Sequence, residues 1–129
     1  MQMDKAMVRA MVERQIRAWM DEDLEAIVAD FAPDGAFIAP SGRWQGHAAI
    51  RQAAANFYHH AHQVRIELKS LLLDGESGAL EWSWNELRRA DGRRYAGQDG
   101  IIFTLRDGQI LYWREYFDTA EMAIPLPEE

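Results

Sequence analysis

The chain has 129 residues, 48% hydrophobic and 27% charged, with no cysteine and a formal net charge of −7. That length suits one domain, residues 1–129, able to bury a core unaided, and the lack of cysteine excludes disulfide frameworks, thiolate nucleophiles and thiolate metal sites. The acidic balance argues against nucleic acid as a partner, because phosphate contacts need clustered Lys and Arg.

Residues 3–20 carry a helical period, with Val8, Met11, Val12, Ile16 and Trp19 on one stripe and Arg9, Glu13, Arg14 and Arg17 opposite. With Lys5, those charges leave no signal-peptide apolar region. No stretch approaches the ~20 apolar residues of a membrane span, so the expectation is a cytoplasmic protein with no membrane partner. Asp21 is placed to cap a second helix whose buried face is Leu24, Ile27, Val28 and Phe31, and Pro33-Asp34-Gly35 should stop it. Residues 36–39 read as short and extended, and Pro40-Ser41-Gly42 as a turn. A third helix is predicted over about 47–61, burying Ile50, Ala54, Phe57 and Ala61. Four strands follow, over 64–73, 79–88, 95–105 and 109–118, separated by Asp74-Gly75, Asp91-Gly92 and Asp107-Gly108. Asp-Gly between β-prone runs signals a hairpin, and three in series predict an antiparallel meander. The pairs Arg88-Arg89 and Arg93-Arg94 read as the solvated tip of one hairpin. Helices first and strands afterwards is the α+β pattern, and the Pro125 and Pro127 tail is expected to drape over the sheet or a partner.

The Trp19-Met20-Asp21 junction, Asp30-Phe31-Ala32-Pro33-Asp34, Gly46 before the third helix and the final G-Q-I-L-Y-W-R-E-Y-F-D from Gly108 to Asp118 carry a family resemblance. Over essentially its whole length the chain resembles the nuclear-transport-factor-2-like superfamily, in its SnoaL-like branch. The last strand is similar to that of limonene-epoxide hydrolases. The resemblance implies a cone of three N-terminal helices packed on a curved antiparallel sheet around one small-molecule pocket, and a homodimer. Within this superfamily fold does not settle function. Residue by residue, Glu115 takes the place of the hydrolases' last-strand Asp. Ser83 and Asn85 fall where their Arg and other Asp belong, and Phe37 and Ala39 where their Tyr and Asn belong. A one-residue shift would bring Glu86 onto the Asp position, still without the Arg.

Strand residues alternate between faces. Following the resemblance, Trp113, Glu115 and Phe117 point into the cavity. A three-residue loop over 106–108, with Gly108 left-handed, would pair Leu105 with Gln109 and set Asp99 directly opposite Glu115. A two-residue loop would set Asp99 opposite Tyr116 and dismantle the site. In the first register Ser83, Asp99 and Glu115 form a row, with Asn85 in the next. Two opposed acids in an apolar pocket should leave one protonated near neutrality, the arrangement that proton transfer requires.

Glu115, Asp99 and Asn85 are thus the candidate catalytic residues. Ser83, Trp113, Phe117, Phe37, Tyr58, His60 and Trp19 are the candidate pocket residues, with Gly42 and Trp44 near the mouth. His59 and His62 share a helical face, but a metal would need a third ligand, and none is assigned. Trp82, Trp84, Tyr112, Arg114 and Tyr116 are expected on the convex face, where they would form a homodimer interface. Arg114 and Glu86 could pair across it. The function expected is cofactor-independent acid–base chemistry, as an isomerase, cyclase or dehydratase, on a small apolar molecule. Epoxide hydrolysis and ligand binding without chemistry are the alternatives.

Overall fold

In the computed structural model, which describes residues 3–128, Asp4 opens helix α1 (Lys5–Met20) by accepting the Met7 backbone N–H at 2.8 Å. Val8, Met11, Val12, Ala18 and Trp19 are buried on its inner face, while Ile16 lies half-buried at the edge of that stripe. Asp21 closes α1, its N–H bonding to the Arg17 carbonyl at 2.8 Å, and does not cap the next helix. The chain reverses at Glu22, whose φ is 56°, so Asp23 is the residue in extended geometry that caps helix α2 (Leu24–Ala29), accepting from Ala26 at 3.1 Å. Buried Gln15 ties the two helices together by donating to the Ile27 carbonyl at 3.0 Å, one of the groups a helix end leaves unpaired.

Phe31 is not helical: it begins strand β1 (Phe31–Ala39), which runs through Pro33-Asp34-Gly35. A Cβ at residue 35 would stand 2.7 Å from the Ile110 carbonyl oxygen, so glycine is what lets this stretch press against its neighbour. Pairing is irregular between Phe31 and Ala36, which accommodates the proline. There follow β2 (Gly42–Gln45), α3 (His47–His60), β3 (Ala61–Asp74), β4 (Ser77–Arg88), β5 (Arg94–Arg106), β6 (Gln109–Tyr116) and a 3-10 turn (Glu121–Ala123). The sheet order is β2-β1-β6-β5-β4-β3. All neighbours are antiparallel except β1 and β6, which are parallel, so the sheet is mixed rather than wholly antiparallel. Bulges at 62–65 and 68–70 bend β3, α1 packs on it, and α3 lies over β1 and β2. No helix among the described residues is long and apolar enough to cross a membrane.

Two registers differ from expectation, and both decide what faces inward. At Asp107-Gly108 the φ angles are 53° and 79° and Arg106 pairs with Gln109: a two-residue turn with both central residues left-handed. Alone it would turn Asp99 outward. One strand turn later Leu105 pairs with Ile110 but Thr104 with Tyr112, so Leu111 is an extra, bulged residue. The bulge restores the parity, and Ile101, not Asp99, lies opposite Glu115. Asp99 sits on the same face as Glu115, diagonal to it, about 7–8 Å away by ordinary sheet spacing.

On β4 the expected faces are reversed. Trp82 pairs with Asp99 and Ser83 with Gln98, so Leu80, Trp82, Trp84 and Glu86 point inward while Ser83 and Asn85 point out. Burying an indole of roughly 200 Å² stabilises by about 5 kcal/mol, far more than burying Ser83 could, and the register follows the indoles. The convex face therefore lacks Trp82, Trp84 and Glu86. It keeps Tyr112, Arg114 and Tyr116, with Arg114 over the Tyr116 ring at 4.9 Å, beside exposed Ile102.

Candidate functional site

Between α1, α3 and the concave sheet lies a cavity of about 290 Å³. Its walls are Trp19 from α1, Phe37 from β1, Trp44 from β2, Phe57 from α3, Trp84 from β4 and Phe117 beyond β6. All of these rings but Phe117 form one connected surface: Trp19 meets Trp84 at 5.8 Å and Phe37 at 6.2 Å, Phe57 meets Trp84 at 5.6 Å and Phe37 meets Trp44 at 5.8 Å between centroids. Asn56 and His60 project from the last turns of α3 at the rim, and Met122 closes one side. Across the sheet from those walls are three acids, Glu86, Asp99 and Glu115, each more than nine-tenths buried.

Each acid accepts an indole N–H. Trp82 donates to Asp99 at 3.1 Å, Trp84 to Glu86 at 2.8 Å and Trp113 to Glu115 at 3.1 Å. The first pair is directly cross-strand; the other two are two apart on one strand, where alternation returns both side chains to the same face. Glu86 also takes Arg88 Nε at 3.1 Å, and the same guanidinium donates to the Met122 carbonyl at 2.6 Å, fastening the C-terminal segment to the sheet end. Among the described residues no cation pairs with Asp99 or Glu115.

Burial raises both carboxyls. Glu115 is pushed up to about 8, first by burial and then by the charge of Asp99, with the Trp113 N–H pulling the other way. Asp99 rises to about 6, again through burial, opposed by the Trp82 N–H and reinforced by the charge of Glu86. Asp99 ionises while Glu115 is still neutral and so does not feel it; Glu115 ionises against an existing charge. The pair loses its protons in two steps. Between them stands a carboxylate beside a carboxylic acid, able to take a proton at one point of a bound molecule and give one at another.

The structure brings together on this cavity Glu115, Asp99, Phe117, Phe37, His60 and Trp19 from the expected set. Trp113 lies beneath the floor and reaches the cavity only through its bond to Glu115. Tyr58 does not line it: its hydroxyl donates to the Trp19 carbonyl at 2.5 Å, closing the end of α1. Ser83 and Asn85 are on the opposite face, where the Asn85 carbonyl oxygen accepts from Arg94 at 2.8 Å. Their places are taken by Trp84 and Glu86. The alternation of Leu80, Trp82 and Trp84 with Glu81, Ser83 and Asn85 carried that signal. Where the hydrolase resemblance requires an Arg two residues before the acid, Trp84 stands instead and brings no positive charge. His59 and His62 take part in no group placed to hold a metal; among the described residues there is none.

The SnoaL-like domain family matches residues 12–113. A search of curated proteins finds no match. Solved structures share the fold. A hypothetical protein of ketosteroid isomerase-like fold from Catenulispora acidiphila, in complex with trimethylamine, superposes with a TM-score of 0.82 at 17% identity, covering 87% of this chain and 88% of its own. An NTF2-like protein of unknown function from Burkholderia pseudomallei gives 0.82 at 20% identity, with 90% and 94% covered. An LEH-like epoxide hydrolase from M. tuberculosis gives 0.77 at 19% identity, with 92% and 87% covered. The architecture is the NTF2-like, ketosteroid isomerase-like α+β fold.

Proposed function

The chain belongs to the SnoaL-like domain family, and from that premise we propose that it is a cofactor-independent acid–base enzyme acting on a small, largely apolar molecule. Asp99 is the base and Glu115 the acid. The observation that carries the reading is a pair of acids with staggered ionisation on the floor of one aromatic cavity, each held by an indole and neither paired with a cation among the described residues. In an isomerisation Asp99 takes a proton from carbon beside a carbonyl, the Glu115 hydroxyl donates to the oxygen as charge gathers there, and the Asp99 proton returns at another carbon. In a dehydration Glu115 protonates the departing hydroxyl while Asp99 removes the proton. A fold relative holding trimethylamine supports a cavity open to small organic molecules.

A panel of β,γ-unsaturated ketones, followed by the absorbance of the conjugated product, tests this. Glu115→Gln and Asp99→Asn should each lower turnover by about 10²–10⁴-fold with little change in affinity for these neutral ketones. Unchanged turnover in both variants would end the reading. Binding without chemistry is the second reading. It is favoured by Trp84 in the place of an epoxide-polarising Arg, and it predicts saturable ligand uptake with no product. We further propose that Tyr112, Arg114 and Tyr116, with exposed Ile102, form a homodimer face. A monomer in sedimentation at micromolar concentration would refute it.

A further inference from the structure

The cavity is acidic as well as aromatic, and its acids outnumber their counter-charges. Glu86 is matched by Arg88 at 3.1 Å. Among the described residues Asp99 and Glu115 have only neutral indole donors, so the buried floor carries an uncompensated negative charge once Asp99 ionises. Lining the same cavity are the rings of Trp19, Trp44 and Trp84, and aromatic faces attract cations within about 6 Å of the ring. Among the described lining residues no Lys or Arg competes for that charge; His60 is at the exposed rim.

We propose that the ligand of this cavity is an organic ammonium ion, a protonated or quaternary amine on an apolar body, whose charged head sits between the aromatic wall and the Asp99–Glu115 floor. The inference rests on the acid pair of the proton-transfer reading and specifies the substrate class for it. The apolar body fills the remaining volume against Phe37, Phe57 and Phe117, and the head supplies the missing counter-charge. A neutral molecule of the same shape gains the hydrophobic contacts but leaves the floor uncompensated. An anion is repelled.

Two matched pairs test it on the full chain near neutral pH: choline against its carbon isostere 3,3-dimethylbutan-1-ol, and phenethylammonium against 2-phenylethanol. Binding is read by tryptophan fluorescence and calorimetry. Each cation should bind about tenfold or more tightly than its neutral counterpart. Asp99→Asn with Glu115→Gln should remove most of the cations' advantage over their neutral counterparts, leaving only the smaller preference that the aromatic rings supply. Trp44→Leu, a half-buried wall position, should weaken the cations more than the neutral ligands whether or not the double variant folds. Equal or tighter binding of the neutral members, or no binding of either cation at high millimolar concentration, overturns the proposal. Such a failure leaves the acid–base reading standing, because that reading is judged by turnover: it falls if no product forms or if both single acid variants keep their turnover. Selective cation binding without any product would do the reverse.

Discussion

Replacing Glu115 by Gln should flatten the fall of stability with pH, and the size of the effect follows from the site. The carboxyl moves from an ordinary 4.5 to about 8 on folding. Between those values the folded chain holds a proton that the unfolded chain has released, so stability is full below about 4.5 and is lost as pH rises to about 8. The slope is about 1.4 kcal/mol per pH unit, so roughly 3 kcal/mol disappears between pH 5 and 7 from this group alone. Asp99, raised from 3.8 to about 6, adds roughly 1 kcal/mol over the same interval and stops contributing above about 6. Glutamine keeps the acceptor for the Trp113 N–H and nearly the same volume but cannot ionise. Urea unfolding at intervals from pH 5 to 8, with the m-value held constant as a check, should show a fall of about 4 kcal/mol from pH 5 to 7 in the native chain. The variant should fall by only about 1 kcal/mol. Equal slopes in the two proteins, or greater native stability at pH 8 than at pH 5, would refute the claim that Glu115 is desolvated and uncompensated.

Trp113→Phe removes the 3.1 Å donor and should move the Glu115 carboxyl further up by roughly one unit, visible in pH-dependent carbon NMR of the carboxyl; a downward move would contradict the assigned bond. Arg88→Met strips the counter-charge from buried Glu86 and the anchor from the Met122 carbonyl, and should cost about 2–3 kcal/mol in thermal or urea unfolding. Gly97→Ala puts a Cβ 2.8 Å from Met122 Sδ and 3.0 Å from Glu121 Oε1. Methionine can give way, so the loss should be about 1 kcal/mol, but the displaced segment after β6 should be cut faster in limited proteolysis than in the native chain.

The helices and the strand meander were legible because their signals are local: a 3.6-residue stripe in α1 and α3, and Asp-Gly between β-prone runs. The boundary at Asp21 was not, since Asp21 and Asp23 are equally good caps by type and only the reversal at Glu22 chooses between them. Nor was β1, whose Pro33 and Gly35 read as a stop until Gly35 is seen pressed against the backbone of a strand 75 positions later in the chain. The parallel pairing of β1 with β6 is equally non-local. Within the site, the inward faces of β5 and β6 came from the right parity for the wrong reason: the turn at Asp107-Gly108 has two residues, and the bulge at Leu111 undoes its effect. On β4 the alignment with the hydrolases sets Ser83 and Asn85 inward, where the Leu80, Trp82, Trp84 alternation says otherwise. The observed register displaces Asn85 and Ser83 from the cavity and brings in Glu86.

The three tryptophans explain why buried acids can persist here and stay reactive. An unpartnered carboxyl in this interior would be too costly. Arg88 gives Glu86 a charged partner, and in general a guanidinium placed beside a buried acid favours the ionised form through its full positive charge. An indole N–H is a neutral donor: it fills one acceptor site of Asp99 or Glu115 and opposes burial only partly, so both values remain above the ordinary carboxyl range. The indoles also build the floor, since Trp82 and Trp113 pack at 5.8 Å below it. One residue type therefore supplies the apolar volume that raises the acids and the donor that keeps them bonded. Exchanging Trp113 for a cationic residue would lower Glu115 into the ordinary range and leave a carboxylate with no proton to give, and the same exchange at Trp82 would make Asp99 a weaker base.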